Sequence, residues 1–299
     1  MIDAFLTASG WGKAARGPLA CDASVRIYTR LRDGPRTAVL MPGPDTANLA
    51  RFRHIGAHLR GLGLSAPETL AVDADAGFAL LEDFGDLTLA RLLADDRTTA
   101  ERAYRATARL LPLLSAPPPD DVVTPGPVGM AEMIGLTFDL LPDSDDLRTT
   151  LLPALAEALD RHAPGPAILS LRDVHAENLI WLPDRDGPAR IGLLDYQDAM
   201  LLPEGYDLAS LLDDPRREVP AEWRNDLLED RKRIDILSLQ RNLRILGIFH
   251  RLSSACGKPA YRAFLPRTRV LIARAAKTFP SLRDPVTELL DRTAFWGAA

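Results

Sequence analysis

The chain has 299 residues, of which 46% are hydrophobic and 26% are charged, and its formal net charge is −5. These values are ordinary for a soluble globular protein, and the 36 basic residues are spread along the chain, which disfavours a nucleic-acid groove or a basic membrane-binding surface. No apolar run approaches the ~18–20 residues of a membrane span, and residues 1–16 lack the apolar core of a secretory signal. We therefore expect a cytoplasmic protein with no nucleic-acid or membrane partner and no obligate protein partner.

Residues 1–85 carry most of the strand patterns. Alternating or short apolar runs predict strands over residues 24–31, 37–41, 70–72 and 77–81, with a turn at residues 34–35. Between the second and third strands, the sequence predicts a helix that Asp45 caps and that ends near Gly61. One apolar face of this helix carries Leu49, Phe52, Ile55, Leu59 and Leu62.

From residue 86 onwards the sequence is mainly helical. Thr98 and Glu101 form a capping box for a helix that runs to about residue 114, and a proline-rich connection over residues 117–127 follows. Further helices are predicted over residues 130–141, 145–162, 220–254, 260–278 and 284–295. The pattern predicts an α+β fold with a small mainly-β N-terminal domain, residues 1–85, and a larger mainly-α C-terminal domain, residues 86–299.

One segment of the C-terminal part carries the chemistry. Residues 171–178 read L-R-D-V-H-A-E-N, and the apolar strand 190–194 that follows ends at Asp195. Phosphoryl transfer needs a carboxylate that takes the proton of the attacking hydroxyl, and oxygen ligands for the magnesium that neutralises the ATP phosphates. The spacing predicts Asp173 as the catalytic base, with Asn178 and Asp195 as ligands of Mg²⁺ and bound ATP. The alternatives are a turn residue that caps amides for Asp173 and a structural strand end for Asp195.

Four neighbouring residues receive supporting roles. Asp207 is expected to cap the helix that begins there and to hydrogen-bond the catalytic loop, and Arg172 to pair with a carboxylate that keeps the loop in shape. His175 is predicted to line the loop and contact substrate or phosphate, because the histidines show no metal-ligand spacing. Asp198 either faces the substrate or lies in the turn after Gln197.

The N-terminal domain lacks the usual phosphate-binding residues of kinases. Its only lysine, Lys13, precedes the predicted strands, and the helix over residues 45–61 has no Glu to pair with a strand lysine. Either Arg26 or Arg30, together with backbone amides near Ser24, holds the phosphates instead, or the protein is an inactive kinase. We favour the first interpretation because the base and the metal ligands are all present.

The loop and four further segments resemble a known family. The loop and the strand that ends at Asp195 resemble the aminoglycoside phosphotransferase and choline kinase superfamily. Residues 22–28 (D-A-S-V-R-I-Y), 80–86 (L-L-E-D-F-G-D), 195–199 (D-Y-Q-D-A) and 206–212 (Y-D-L-A-S-L-L) resemble, in the same order, segments of one group within it. They are most similar to its bacterial anomeric kinases of peptidoglycan recycling. The family loop usually begins with His, where this chain has Leu171, so the packing of the loop is in question more than its chemistry.

The resemblance implies a protein-kinase-like fold of two lobes, with ATP bound near Glu82. It implies an ATP- and Mg²⁺-dependent kinase that phosphorylates the C1 hydroxyl of N-acetylmuramate, N-acetylglucosamine or both. Arg216 is a candidate partner for the lactyl carboxylate of a muramate, although a solvated helix end explains it equally well. Two alternatives stay open: a phosphotransferase acting on aminoglycosides or amino alcohols, and a pseudokinase that serves as a regulatory module.

Overall fold

The computed structural model describes residues 1–19, 28–42 and 46–297 of the chain. These residues form two compact units, of which unit 1 spans Met1–Leu113 and Ala176–Ala199, and unit 2 spans Leu114–His175 and Met200–Ala299. The predicted base and the predicted metal ligands therefore belong to different units. The predicted domain boundary at residue 85 stays a prediction.

Within the described ranges, most of the strands lie before residue 85 and most of the helices after it. The strands are β1 (Ala15–Pro18), β2 (Thr29–Asp33), β3 (Arg36–Pro42), β4 (Thr69–Asp73), β5 (Phe78–Leu81), β6 (Ala167–Ser170), β7 (Leu179–Trp181), β8 (Ile191–Leu193) and β9 (Met200–Pro203). The helices are α1 (Ile2–Ala8), α2 (Thr46–Gly61), α3 (Leu89–Asp95), α4 (Arg97–Leu110), α5 (Gly126–Glu132), α6 (Gly135–Asp139), α7 (Asp145–His162), α8 (Tyr206–Leu212), α9 (Ala221–Leu227), α10 (Arg231–Ser254), α11 (Leu265–Ala276) and α12 (Pro280–Arg292).

Unit 1 is built on a five-stranded antiparallel sheet with the strand order β1-β2-β3-β5-β4. The predicted strands over residues 37–41, 70–72 and 77–81 are confirmed, whereas most of the predicted strand 24–31 lies outside the described residues. Helix α1 and strand β1 were not predicted, because α1 has only seven residues and β1 contains both Gly and Pro. The small core on this sheet consists of Phe5, Leu6, Trp11, Ala14, Leu31, Ala38, Leu40 and Leu80.

Helix α2 follows the predicted apolar face, burying Leu49, Phe52, Ile55 and Leu59. Leu62 lies after the helix and is half-buried, and the predicted cap Asp45 lies outside the described residues. The capping box at Thr98 was wrong. Asp96, which directly follows α3, caps α4 by accepting the backbone N–H of Thr99 at 3.1 Å, and the helix begins at Arg97, two residues earlier than a cap at Thr98 would allow.

Unit 2 is mainly helical, with β6 and β9 as an antiparallel pair. The predicted helix 145–162 is confirmed as α7, but the predicted helix 220–254 is two helices, since Leu228 is extended and Asp230 starts α10 by accepting the backbone N–H of Arg233. The predicted helix 130–141 is likewise two short helices, α5 and α6. A 3₁₀ helix, Pro259–Phe264, precedes α11.

Helix α10 is the centre of unit 2. It buries residues on nearly every side, including Arg241 and Asn242 as well as its leucines and isoleucines. In a helix that is buried on all sides, polar residues are expected only where they have a polar partner or a functional role. None of the helices that the structure describes is both long and apolar enough for a membrane crossing.

Candidate active site

The loop after β6 is hydrogen-bonded to a carboxylate of α8. Asp207 accepts hydrogen bonds from the backbone N–H groups of Leu171 at 2.8 Å and Arg172 at 3.0 Å, and from the hydroxyl of Ser170 at 2.7 Å. The side chain of Asp207 is buried, and burial raises its pKa to about 6 against the lowering effect of these three hydrogen bonds. The expected contact between Asp207 and the loop is therefore present.

Asp207 does not cap α8, contrary to the prediction. The helix begins after Gly205, whose φ is 94°, and Asp207 lies within its first turn with its carboxylate directed at the loop. The loop needs this support because Arg172 has a φ of 69°, which is strained for a residue with a side chain. The hydroxyl of Ser210 donates to the carbonyl oxygen of Arg172 at 3.3 Å, so both sides of this residue are bound to α8.

The side chains of Leu171 and Asp173, which flank Arg172, differ in exposure. Leu171, at the position where the family usually has His, is 3% exposed, so an apolar side chain fills the place of the imidazole. The side chain of Asp173 is 32% exposed, and Arg241 Nη2 lies 4.0 Å from its Oδ1 while Arg244 Nη2 lies 3.8 Å from its Oδ2. Burial opposes ionisation, but Arg244 and Arg241 outweigh it and lower the pKa of Asp173 to about 2.

Buried charges surround the loop on the side of His175. Arg216 donates to Asp214 at 2.8 Å and lies over the ring of Phe249 at 5.0 Å. Both charged side chains are 10% exposed or less, so Arg216 is not a solvated helix end. Burial, with the nearby Arg216 guanidinium, lowers the pKa of His175 to about 4. His175 is therefore neutral at pH 7, and its place in the structure suits hydrogen bonding rather than acid catalysis.

The predicted metal ligands lie together in unit 1, at the open end of the β7–β8 hairpin. Leu194 donates its backbone N–H to the carbonyl oxygen of Asn178 at 2.9 Å, which sets the two strand ends side by side. Asn178 Nδ2 lies 3.5 Å from Asp195 Oδ2, and Gln197 donates to Asp195 Oδ1 at 2.8 Å. Asp195 is exposed and has a φ of 58°. A carboxylate and an amide oxygen are hard ligands, so this donor set fits magnesium, which keeps water and phosphate oxygens in its other positions.

Helix α2 holds the segment that follows Asp195. Arg51 donates to the carbonyl oxygens of Gln197 at 3.0 Å and Ala199 at 3.2 Å, and Phe52 stacks on Tyr196 with ring centroids 4.8 Å apart. This contact was not predicted from the sequence, because Arg51 is exposed on α2 and its partners lie far along the chain. Asp198 is exposed in the turn after Gln197, one of the two places that the sequence allowed.

The predicted nucleotide-binding residues have partners of their own. Arg30 binds Asp83 at 2.8 Å and Asp86 at 2.7 Å, so its guanidinium is engaged by the segment that was expected to meet ATP. Arg185 forms an ion pair with the carboxylate of Glu82, whose second oxygen accepts the backbone N–H of Glu68 at 3.3 Å. This engagement of Arg30 weighs against it as the residue that replaces the missing lysine. Ser24 and Arg26 lie outside the described residues.

Comparison with known proteins shows which proteins the chain is similar to. Residues 17–240 match the phosphotransferase enzyme family, APH. An N-acetylmuramate/N-acetylglucosamine kinase of Caulobacter vibrioides is 35% identical, over 90% of this chain and 90% of its own length. A protein of the same name from Pseudomonas aeruginosa is 28% identical, over 93% of this chain and 89% of its own.

Solved structures agree on the fold. A putative aminoglycoside phosphotransferase from Ralstonia eutropha superposes with a TM-score of 0.67 at 16% identity, over 92% of this chain and 97% of its own. A choline/ethanolamine kinase family protein from Mesorhizobium loti superposes with a TM-score of 0.64 at 18% identity, over 96% and 97%. The predicted fold class and the predicted enzyme class are thereby confirmed. The chain belongs to the APH phosphotransferase enzyme family.

Proposed function

We propose that the protein transfers the γ-phosphoryl group of ATP to the anomeric C1 hydroxyl of N-acetylmuramate, N-acetylglucosamine or both, in the cytoplasm, as a step of cell-wall recycling. The observation that carries the acceptor is the similarity to the Caulobacter kinase over 90% of both chains. The reaction class is supported by an ionised carboxylate, Asp173, on a loop held rigidly by Asp207.

Asp173 is proposed as the base that orients the acceptor hydroxyl. A sugar hydroxyl has a pKa far above 7, and a carboxylate with a pKa of about 2 is a weak base, so it accepts the proton late in the transfer. Its main contribution is then to aim the hydroxyl oxygen at the phosphorus and to hold it there. Arg172 and Asp207 serve this role by fixing the backbone on which Asp173 stands.

Asn178 and Asp195 are proposed to hold Mg²⁺ together with ATP, and Gln197 to orient the Asp195 carboxylate. Magnesium, when bound, neutralises the charge of the β- and γ-phosphates. The residues near Glu82 are proposed to meet the nucleotide, and Ser24 and Arg26 to contribute to its phosphates. His175, Asp198 and Arg216 are proposed to line the sugar site.

The charges near Asp173 favour a neutral or anionic acceptor over a polycationic antibiotic. Three of the groups that act on this carboxylate are the guanidinium groups of Arg172, Arg241 and Arg244. A polycationic aminoglycoside at the same carboxylate would be repelled by them, because charges in a partly buried site are poorly screened. A sugar with a carboxylate, or with no charge, meets no such penalty.

The test is an ADP-release assay with magnesium over N-acetylmuramate, N-acetylglucosamine, other hexoses, choline and aminoglycosides. We expect turnover with the two N-acetyl sugars, a C1 phosphate by phosphorus NMR, and loss of turnover in Asp173→Asn. A phosphate on another hydroxyl contradicts the anomeric assignment and leaves the kinase intact. Tight Mg-ATP binding without ADP release on any acceptor identifies a pseudokinase instead.

A further inference from the structure

Two arginines of α10 flank the proposed base. Arg241 and Arg244 are three residues apart, so they lie on one face of the helix. Arg241 Nη2 is 4.0 Å from Asp173 Oδ1, and Arg244 Nη2 is 3.8 Å from Asp173 Oδ2. Each carboxylate oxygen thus has one guanidinium beside it, at a distance too long for a hydrogen bond.

Arg241 is costly to bury. Its side chain is 0% exposed, and within the described residues none of its three guanidinium nitrogens has a hydrogen-bond partner. Burial lowers the pKa of Arg241, and the charges of Asp214 and Asp173 counter this effect. An apolar side chain of similar size would be more stable at such a position. Packing alone therefore does not explain why the helix carries a guanidinium here.

Five other charged or titratable groups lie around Asp173. They are Arg172 and His175 on the loop, Asp207 on α8, and Arg216 and Asp214 after α8. Asp214 accepts a hydrogen bond from Arg216, and Asp207 is hydrogen-bonded to the loop backbone. The two guanidinium groups of α10 lie directly beside the carboxylate oxygens of Asp173, one at each oxygen.

We propose that Arg241 and Arg244 are positioning residues that act through Asp173, fixing the direction of its carboxylate and keeping it ionised. The inference rests on the proposed function, in which Asp173 meets the acceptor hydroxyl. As the hydroxyl oxygen forms its bond to the γ-phosphorus, the bond from that phosphorus to ADP breaks and the hydroxyl proton passes to Asp173. The two guanidinium groups hold the carboxylate as an anion and aim it before this step. Because they also oppose its protonation, the proton passes to Asp173 late, when the bond to phosphorus has largely formed.

The experiment is a kinetic double-mutant cycle. Arg244→Gln and Arg241→Gln are each measured in the wild-type and Asp173→Asn backgrounds. Arg244→Lys and Arg241→Lys are the variants that keep the positive charge. Arg251→Gln, at the exposed end of α10, is the control. We expect each Gln variant to lower kcat about tenfold or more with little change in the KM for ATP, and each Lys variant to recover much of the loss. In the Asp173→Asn background the same Gln substitutions should change the residual rate less than about twofold, since the group they act through is gone.

The thermal unfolding of the same proteins gives a second, substrate-free readout. Asp173→Asn should lower the Tm of the wild-type protein, because two partly buried cations lose their counter-charge, and should lower it less when Arg241 or Arg244 is Gln. Should Arg241→Gln not fold, the cycle on Arg244, which is 11% exposed, decides by itself.

Three results overturn the inference. If Arg244→Gln lowers kcat by equal factors in the wild-type and Asp173→Asn backgrounds, Arg244 acts independently of Asp173. If the Gln variants lose kcat with N-acetylmuramate but not with N-acetylglucosamine, the arginines bind the carboxylate of the substrate instead. An active wild type whose Arg244→Gln variant keeps its rate overturns this inference alone, whereas a wild type that phosphorylates no sugar overturns the proposed function with it.

Discussion

Asp207 accepts the backbone N–H of Arg172 at 3.0 Å, and Arg172 is held with a φ of 69°. The residue after Arg172 is the proposed base, so a buried carboxylate on α8 determines where Asp173 stands. The strain of the left-handed backbone persists because Asp207, Ser170 and Ser210 together over-determine it.

Replacing Asp207 with Ala should therefore cost both stability and activity. The buried N–H of Leu171 loses its acceptor and the N–H of Arg172 keeps only Ser170 Oγ, which costs about 2 kcal/mol or more in the free energy of unfolding. Release of the loop should lower kcat at least about tenfold. Asp207→Asn should be intermediate, because one amide oxygen replaces two carboxylate oxygens. Ser170→Ala is the matched comparison, since it removes the hydroxyl that donates to Asp207 and accepts from the Arg172 backbone N–H, but leaves both backbone hydrogen bonds to Asp207. Urea unfolding and steady-state kinetics measure both effects, and an Asp207→Ala variant with wild-type kcat contradicts the role.

Tyr196 carries a buried hydroxyl whose removal should stabilise the folded protein. Its hydroxyl has no hydrogen-bond partner within the described residues, and a Cβ added at Gly56 would lie 2.6 Å from it. Tyr196→Phe should raise the free energy of unfolding by about 1 kcal/mol. Tyr206→Phe is the control and should not stabilise, because Arg244 donates to the Tyr206 hydroxyl at 3.5 Å.

The same contact makes Gly56→Ala informative. In the wild type the added methyl group should destabilise by about 1–3 kcal/mol, since the rigid ring of Tyr196 cannot give way. In the Tyr196→Phe background most of this loss should be recovered, helped by the better helix propensity of Ala. Strict additivity of the two substitutions in thermal unfolding would show that the contact does not limit residue 56.

The sequence predicted the features that depend on neighbours along the chain. The apolar spacing of α7 and the strand before Asp195 are local patterns, and the structure has both where they were expected. The predicted cap of α4 was wrong because Asp96 and Thr98 are both residue types that cap helices. Which of them caps α4 depends on where α3 ends.

The features that the sequence analysis missed join distant segments. Arg30 binds carboxylates 53 and 56 residues away, and Arg51 binds carbonyl groups 146 and 148 residues away. No spacing rule reports such pairs, because the fold and not the local backbone brings them together. One signal was available for the arginines of α10: R-N-L-R lies in the middle of a helix rich in Ile and Leu, and polar residues within a fully buried helix indicate a functional contact.

Gln197 should tune the affinity for magnesium without taking part in the transfer. It donates to Asp195 Oδ1 at 2.8 Å, and loss of such a supporting hydrogen bond commonly costs about 10- to 100-fold in metal affinity. Gln197→Ala should raise the magnesium concentration for half-maximal rate by about this factor and keep most of kcat at saturation. Asp195→Ala should not be rescued by excess magnesium. Asp186→Ala, in the exposed connection between β7 and β8, is the control, and equal magnesium curves for Gln197→Ala and the control contradict the assignment.

His175 should make the folded protein sensitive to acid. Burial lowers its pKa to about 4 in the folded state, whereas an unfolded histidine titrates near 6.5, so between these values the unfolded state binds the extra proton. The free energy of unfolding should therefore fall as the pH falls from about 6.5 to about 4, by about 3 kcal/mol in total from this residue. Asp207 acts in the opposite sense, since its pKa is raised to about 6 and its protonation below that pH favours the folded state.

The difference between the wild type and His175→Gln separates the two contributions, because Asp207 is common to both proteins. Urea unfolding from about pH 8 down to about pH 4 should give curves that diverge below about pH 6.5, the variant gaining stability relative to the wild type as the pH falls. Above about pH 7 the offset between the curves should be constant. A constant offset across the whole range would mean that His175 takes up a proton as readily in the folded protein as in the unfolded chain, and its neutrality beside Arg216 would have to be abandoned.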